Sequence, residues 1–418
     1  MLKLLKNEEI RKKILFSLLA IVVFRTLAHV PVPGVDLRAV RSYLSSSAIF
    51  GMFDLFSGGG FQNFSIVTLG LGPYINASII LQLFGKVIPA LDELQKEGEA
   101  GREKLNMYTK LLTVPLSLIQ AYGVYFLLSK QSVITSLGVM DLVVLLLAQV
   151  GGSMILIWLG DLVTEYGVGQ GISLLIFVGI ISRLPQGVLS LVSLLDKYSL
   201  VALLALLGAT VLIIMAIVLV NEGTRNIPIE YGRRGVRSQK VTNFLPIKIN
   251  QAGVIPIIFA VSLVLVPSLV SGPLLATSSA FLKTLGSFLA KNFSSGSVVY
   301  NMFYFMLVFG FTFFYTFMQF DPVKIADDVK KRGGFIPGIR PGRATADYLR
   351  KIVIRLTLVG AIFLGTIAIL PYIIQSFTGL TRLAIGGTGI LIVVSVVLET
   401  IRQVESMMVT RNYQSFLQ

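Results

Sequence analysis

Apolar residues gather in long runs along this chain, and polar residues gather between the runs. A helix crossing the ~30 Å hydrocarbon core of a bilayer needs about 20 apolar residues. That ruler marks ten runs, near 14–33, 68–90, 108–128, 140–162, 171–187, 200–221, 252–271, 300–320, 352–374 and 383–404. The fifth is short. Ahead of the second lies another apolar stretch, about 50–65, where Phe50, Phe53, Phe56, Phe61 and Phe64 surround Gly58, Gly59 and Gly60. It is too short and too glycine-rich to span. It reads as a re-entrant segment packed inside protein, hinged where three glycines leave the backbone unrestricted. In the seventh run, Pro256 and Pro267 are the expected bend points.

The pattern predicts an all-α polytopic membrane protein of ten transmembrane helices. An even count puts both termini on one side. Ten runs divide into halves of five, residues 1–187 and 188–418. With an odd number per half, the second half enters from the opposite side, so halves of one fold would be inverted repeats. Composition agrees: 54% of residues are hydrophobic, 14% are charged and the mean hydropathy is +0.81. Soluble chains carry about a quarter charged residues. The start, MLKLLKNEEIRKKI, has no small-residue cleavage site after a short apolar core, so the first run is expected to stay as a helix.

The net charge of +15 would suggest nucleic-acid binding in a soluble protein. Here its distribution matters more. Three quarters of the 36 lysines and arginines fall on the side of the termini and the 2/3, 6/7 and 8/9 connections. The positive-inside rule makes that side cytoplasmic. The two long basic connections are 222–250 and 321–351.

Several chemistries are excluded. With no cysteine there are no disulfides, thiolate metal sites or thiol catalysis, and a single histidine, His29, excludes an HExxH zinc site. The runs hold no pair of aspartates for proteolysis, no serine-nucleophile motif and no proton relay. Their charges, Asp161, Glu165, Glu399 and Arg402, cluster at helix ends, and Arg25 can snorkel. A small-solute transporter would carry partnered ionisable groups at mid-depth. No metal, cofactor or catalytic residue is expected.

Five stretches carry a resemblance. MFDLFSGGGFQNFSIVTLGLGPYINASIILQLF (52–84) resembles the segment leading into the second helix of the SecY family of protein-conducting channels. KEGEAGREKLNMYTK (96–110) is similar to that family's 2/3 loop, and NQAGVIPIIFA (250–260) to the start of its seventh helix. FIPGIRPGRATADYL (335–349) is similar to its 8/9 loop, and GGTGILIVV (386–394) to its tenth helix. They occur in order from the second run to the tenth.

The resemblance implies a channel in the bacterial plasma (inner) membrane, with both termini cytoplasmic. It would pass unfolded, signal-bearing polypeptides and release apolar segments sideways into lipid. The glycine-broken stretch becomes a short plug helix, with Phe53, Phe56, Gly58, Gly59, Gly60 and Phe61. A constriction ring falls on Ile75, Ile79, Ile172, Ile176, Ile258 and Ile392. An isoleucine in a span ordinarily packs or faces lipid, so only the resemblance selects these six. A ring of branched apolar side chains can seal by dewetting and does not hold a passing peptide. Asn76, Gln82, Thr113 and Gln120 fall on a lateral gate formed by spans 2 and 3 against 7 and 8. Their ordinary role is interhelical hydrogen bonding, at about 0.6 kcal/mol each.

A basic loop beside anionic lipid gains about 1 kcal/mol per Lys or Arg without any partner. Prolines and glycines that present one arginine, as in IPGIRPG, point instead to docking, because Arg suits bidentate contact with carboxylate or phosphate. By resemblance the docking residues are Arg225, Arg233 and Arg234 in the 6/7 loop. In the 8/9 loop they are Lys330, Lys331, Arg332, Arg340 and Arg343. Asn226 stands where many relatives have a second arginine. The implied partners are the SecE and SecG subunits, the SecA ATPase, ribosomal RNA, the polypeptide substrate and membrane lipid. The chain has no Walker motif, so the work of transport is expected from outside.

Overall fold

A computed structural model describes residues 8–32, 35, 40, 57, 60–61, 63–130, 138–182, 185, 200–231, 242–264, 266–275, 277, 279–293, 297–378 and 387–415. Helices occupy every predicted run. In chain order they are α1 (Glu8–Leu27), α2 (Gly72–Val87), α3 (Pro89–Lys96), α4 (Glu99–Lys130), α5 (Val139–Tyr166), α6 (Gly171–Ile181) and α7 (Leu200–Glu222). After strands β1 (Thr224–Tyr231) and β2 (Thr242–Lys248) come α8 (Ile255–Val264), α9 (Val266–Leu275), α10 (Ala280–Asn292), α11 (Val298–Gln319) and α12 (Pro322–Lys331). Strand β3 (Gly334–Phe335) precedes α13 (Arg343–Thr378) and α14 (Gly387–Ser415).

Length and composition alone do not return the count of ten. Among the described residues, three helical stretches are long and apolar enough to cross a bilayer: Val139–Tyr166, Val298–Lys331 and Arg343–Ile374. The bent pair α2 and α3 makes a fourth. Two of the others fall short for visible reasons. Helix α1 opens on EEIRKK, and α6 has 11 residues.

The bend expected at Pro267 falls beside residue 265, which lies outside the described residues. Pro256 bends nothing. It sits in the first turn of α8, where the N–H it lacks would have had no partner in any case.

One apolar core joins the helices. Helix α1 packs on α5 and α6, α2 on α4, α5 on α6, α8 on α11, α11 on α13, and α7 on α14. The first six helices meet the rest where α2 touches α8, α4 touches α9, and α6 touches α14. Close crossings use glycine. A Cβ on Gly171 would stand 1.9 Å from the Gly160 carbonyl oxygen, and one on Gly152 would stand 2.0 Å from that of Ile66.

The described parts of the basic connections include regular structure. Strands β2, β1 and β3 form one antiparallel sheet in that order, Arg225 pairing with Ile247 and Glu230 with Phe335. Pro246 is tolerated on an edge strand, and Pro228 lies beyond the reach of the two-residue β3. Ile227, Ile229 and Ile247 pack with Phe320, Ile336, Leu349, Ile352 and Val353 into a separate small core. Helix α12 starts on Asp321, whose carboxylate accepts from the Val323 and Lys324 N–H groups, and ends on Lys330 and Lys331, which suit a helix C-terminus. Helix α13 has 36 residues, about 54 Å at 1.5 Å per residue. It is longer than a bilayer is thick, so its first turns carry the sheet outside.

Candidate functional site

The six isoleucines come from four helices: Ile75 and Ile79 from α2, Ile172 and Ile176 from α6, Ile258 from α8 and Ile392 from α14. All six join the same apolar cluster. Residues 75 and 79 are one turn apart, so both side chains leave α2 on one face. Five of the six are buried. Ile172 is half-buried, and its Cγ1 would lie 3.0 Å from a Cβ on Gly160, so it leans on α5.

Of the plug residues, Gly60 and Phe61 are described, whereas Phe53, Phe56, Gly58 and Gly59 lie outside the described residues. Gly60 answers to close packing: a Cβ there would stand 2.7 Å from Ser65 Oγ and 3.1 Å from the carbonyl oxygens of Ser57 and Val67. Phe61 and Phe64 are buried against Val124, Leu128 and Leu145 of α4 and α5. Ile66 packs against both this cluster and the one holding the isoleucines. Phe64 has φ of 41°, a left-handed backbone that non-glycine residues rarely adopt. Its carbonyl accepts from Val32 N–H at 2.9 Å, and the Ser65 N–H donates to the Gly60 carbonyl at 2.9 Å. The strained turn is therefore tied on both sides.

The polar residues of spans 2 and 3 divide. Gln82 of α2 donates from Nε2 to Ser78 Oγ at 2.7 Å, and its Oε1 accepts from the Tyr315 hydroxyl of α11. That bond crosses from the first six helices to the later ones. Tyr315 in turn sets its ring edge-on to Phe259 of α8, centroids 5.0 Å apart. Thr113 is buried but bonds within α4, its hydroxyl donating to the Thr109 carbonyl at 2.7 Å. Gln120 lies over the start of α2, its Oε1 3.9 Å from where a Cβ on Gly72 would be. Asn76 is half-buried. Sequence reasoning missed Tyr315, because a tyrosine in an aromatic-rich span has no local mark of its partner.

Two polar clamps close the ends of helices. Lys110 of α4 pairs with Asp161 of α5 at 2.6 Å, and Arg402 of α14 pairs with Glu222 of α7 at 2.6 Å. Asn221, next to Glu222, donates to Ser395 Oγ at 2.7 Å and accepts from Asn250 Nδ2 at 2.8 Å. These bonds tie α7, α14 and the approach to α8 together where the sheet begins.

On the sheet, Arg225 is exposed and shares the face of Ile227 and Ile229, standing at the rim of their core. Asn226 is exposed on the opposite face. Arg340 is exposed on a turn between Gly338 (φ 80°) and Gly342 (φ 103°), both in the left-handed region that glycine allows. The Thr345 hydroxyl donates to the Arg340 carbonyl at 3.0 Å and holds the turn against α13. Lys330, Lys331 and Arg332 are exposed at the end of α12. Arg343 lines a cleft of about 410 Å³ with Asp327, Asp347 and Arg350. Arg233 and Arg234 lie outside the described residues.

A family model described as SecY matches residues 65–401. Curated relatives named "Protein translocase subunit SecY" cover 99% of this chain: one from Thermus thermophilus is 41% identical over 96% of its own length, and one from Mycobacterium bovis is 40% identical over 98%. The chain belongs to the SecY family. The relative of that name from Thermotoga maritima, also 40% identical, covers 99% of the chain and 96% of its own length. Among solved structures, "The structure of a protein conducting channel" aligns with a TM-score of 0.65 at 19% identity, over 96% of this chain and 93% of the other. "Sec61 in the Canine ribosome-channel complex from the endoplasmic reticulum" aligns at 0.64 and 19%, with the same coverage. At that identity the likeness is one of fold, and the fold is that of the SecY-type channels. This SecY-family chain is a multi-pass membrane protein.

Proposed function

We infer that the chain is a protein-conducting channel, a passive path for unfolded polypeptide through the membrane. Extended backbone cannot cross lipid, because each unsatisfied peptide group costs several kcal/mol. A water-filled route with a closable apolar neck removes that barrier. The single observation that supports this reading best is that six isoleucines from four helices belong to one apolar cluster, within a chain of the SecY family. Branched apolar side chains drawn from both halves of the chain, 1–187 and 188–418, close by packing and separate when the halves part.

In this reading the segment at Gly60 and Phe61 seats the plug, and the strained turn at Phe64 anchors its base. The contacts of α2 with α8 and of α4 with α9 form the lateral gate, through which an apolar segment of about 20 residues can pass into lipid. Gln82 and Tyr315 latch it. The sheet with α12 and the start of α13 is the docking platform. It faces the cytoplasm of a bacterial plasma membrane, where both termini also lie. Arg225 and Arg340 stand ready for the carboxylates of the SecA motor or the phosphates of ribosomal RNA, and SecE and SecG complete the complex.

Reversal of charge at Arg340 tests the platform. Arg340→Glu is expected to impair SecA-driven translocation into vesicles while membrane insertion and SecE association stay intact. Wild-type transport rates in that variant would remove the docking role.

A further inference from the structure

Helix α10, Ala280–Asn292, follows the seventh span and divides into three sectors at 100° per residue. Leu282, Gly286 and Leu289 form the first and face the protein; Gly286 is buried and the two leucines are half-buried. A Cβ on Gly286 would stand 2.9 Å from Leu275 N and 3.0 Å from Leu274 Cβ, so α10 is pressed onto α9. Lys283, Ser287 and Lys291 form the second sector, and all three are exposed. Phe281, Leu285 and Phe288 form the third, spaced i, i+4, i+7. They are exposed too, Phe281 at 76% and Phe288 at 58%.

A helix on a protein surface in water needs only two faces, one apolar toward the core and one polar toward solvent. A second apolar stripe calls for a third medium. We propose that α10 lies in the membrane interface, with Phe281, Leu285 and Phe288 seated at the boundary of headgroups and acyl chains. The occupant of this face is lipid, because the face continues a surface that lipid already covers. Phe293, just past α10, packs edge-on against Phe303 of α11 with centroids 5.5 Å apart. Beside it the first turns of α11 expose Val298, Val299, Met302 and Met306. Helix α11 has 22 residues, about 33 Å, and reaches the basic sheet unit at its far end. The leaflet in question is therefore the one opposite the sheet. Lys283 and Lys291 stand on the water side, where ammonium groups reach the headgroups.

The seat has a consequence for opening, which rests on the gate reading above. Helix α9 touches α4 across the gate and carries α10 with it. When the outer half of the gate helix swings, α10 must slide within the interface, so the leaflet restrains the gate.

The chain has no cysteine, so nitroxides can be placed one at a time through Phe281→Cys, Leu285→Cys, Phe288→Cys, Lys283→Cys and Ser287→Cys. The full chain is reconstituted in vesicles of phosphatidylethanolamine and phosphatidylglycerol, and collisions with oxygen and with a water-soluble nickel chelate are compared. The expected result is an oxygen-to-nickel ratio several-fold higher at 281, 285 and 288 than at 283 and 287. Equal ratios at all five would place α10 in water and overturn the proposal. Low access to both reagents at 281, 285 and 288 would show a protein partner on that face, and would also overturn it. A second variant, Phe281→Asp with Phe288→Asp, should cost the 285 nitroxide its oxygen preference; an unchanged preference would count against the seat. These depths are read on resting vesicles, so they stand or fall independently of the gate.

Discussion

The latch between Gln82 and Tyr315 makes the gate reading quantitative. Tyr315→Phe removes one hydroxyl and nothing else. The ring keeps its edge-on contacts with Phe259 and Phe314, and Gln82 keeps its bond to Ser78. What is lost is one hydrogen bond between α2 and α11, which exists only while the two halves are together. Such bonds in membrane proteins average about 0.6 kcal/mol and reach about 1.7. At room temperature that range shifts the closed-to-open ratio toward open by about threefold, and by no more than about twentyfold. Single-channel recording in planar bilayers measures it as a rise in open probability. A cycle with Gln82→Leu separates the pair's coupling from each residue's own effect. An open probability that is unchanged or lowered, in protein of wild-type melting temperature, would refute the latch.

Three further outcomes follow from the packing. Ile392→Asn puts an amide into the apolar cluster and should raise ion leak and loosen signal discrimination; unchanged bilayer conductance would count against the ring. Gly171→Ala drives a methyl against the Gly160 carbonyl and should destabilise the α5–α6 crossing by about 1–3 kcal/mol, seen as a lower melting temperature in detergent. Thr345→Val frees the Arg340 carbonyl and should slow SecA-driven transport by less than Arg340→Glu does, a ranking that vesicle translocation rates check directly.

Hydropathy made the span positions legible because placing apolar length in lipid outweighs the other forces on these segments, and apolar length is written locally in the chain. It did not locate helix ends. Helix α4 begins at Glu99 and α13 at Arg343, each about nine residues before the apolar run. A helix can continue into water where the hydropathy ruler sees only charge. The sheet was legible in part. Ile227, Ile229 and Tyr231 alternate with polar or proline positions, and Leu245 and Ile247 do likewise, which is the period of a half-buried strand. Their pairing joins two connections far apart in the chain, and no local pattern carries that. The Asp321-Pro322 start of α12 is a cap signal of the same readable kind.

The proposed constriction ring is the least legible element. Nothing local separates Ile258 from Ile257, which is also buried. Only the family resemblance singled the six out; in the fold they share one large apolar cluster with many other residues. Tyr315 and the strained Phe64 were invisible for the related reason that their roles lie in contacts, not in composition.

Polypeptide is expected to pass through the neck at Ile79. With no native cysteine, Ile79→Cys gives a unique cross-linking point. A signal-bearing polypeptide with one cysteine, stalled by a folded C-terminal domain, is driven in with SecE, SecA and ATP and then oxidised. The expected result is a cross-linked band that requires both ATP and the signal sequence. Absence of that band, in correctly inserted channel with SecA bound, would place the path elsewhere and contradict passage through this neck.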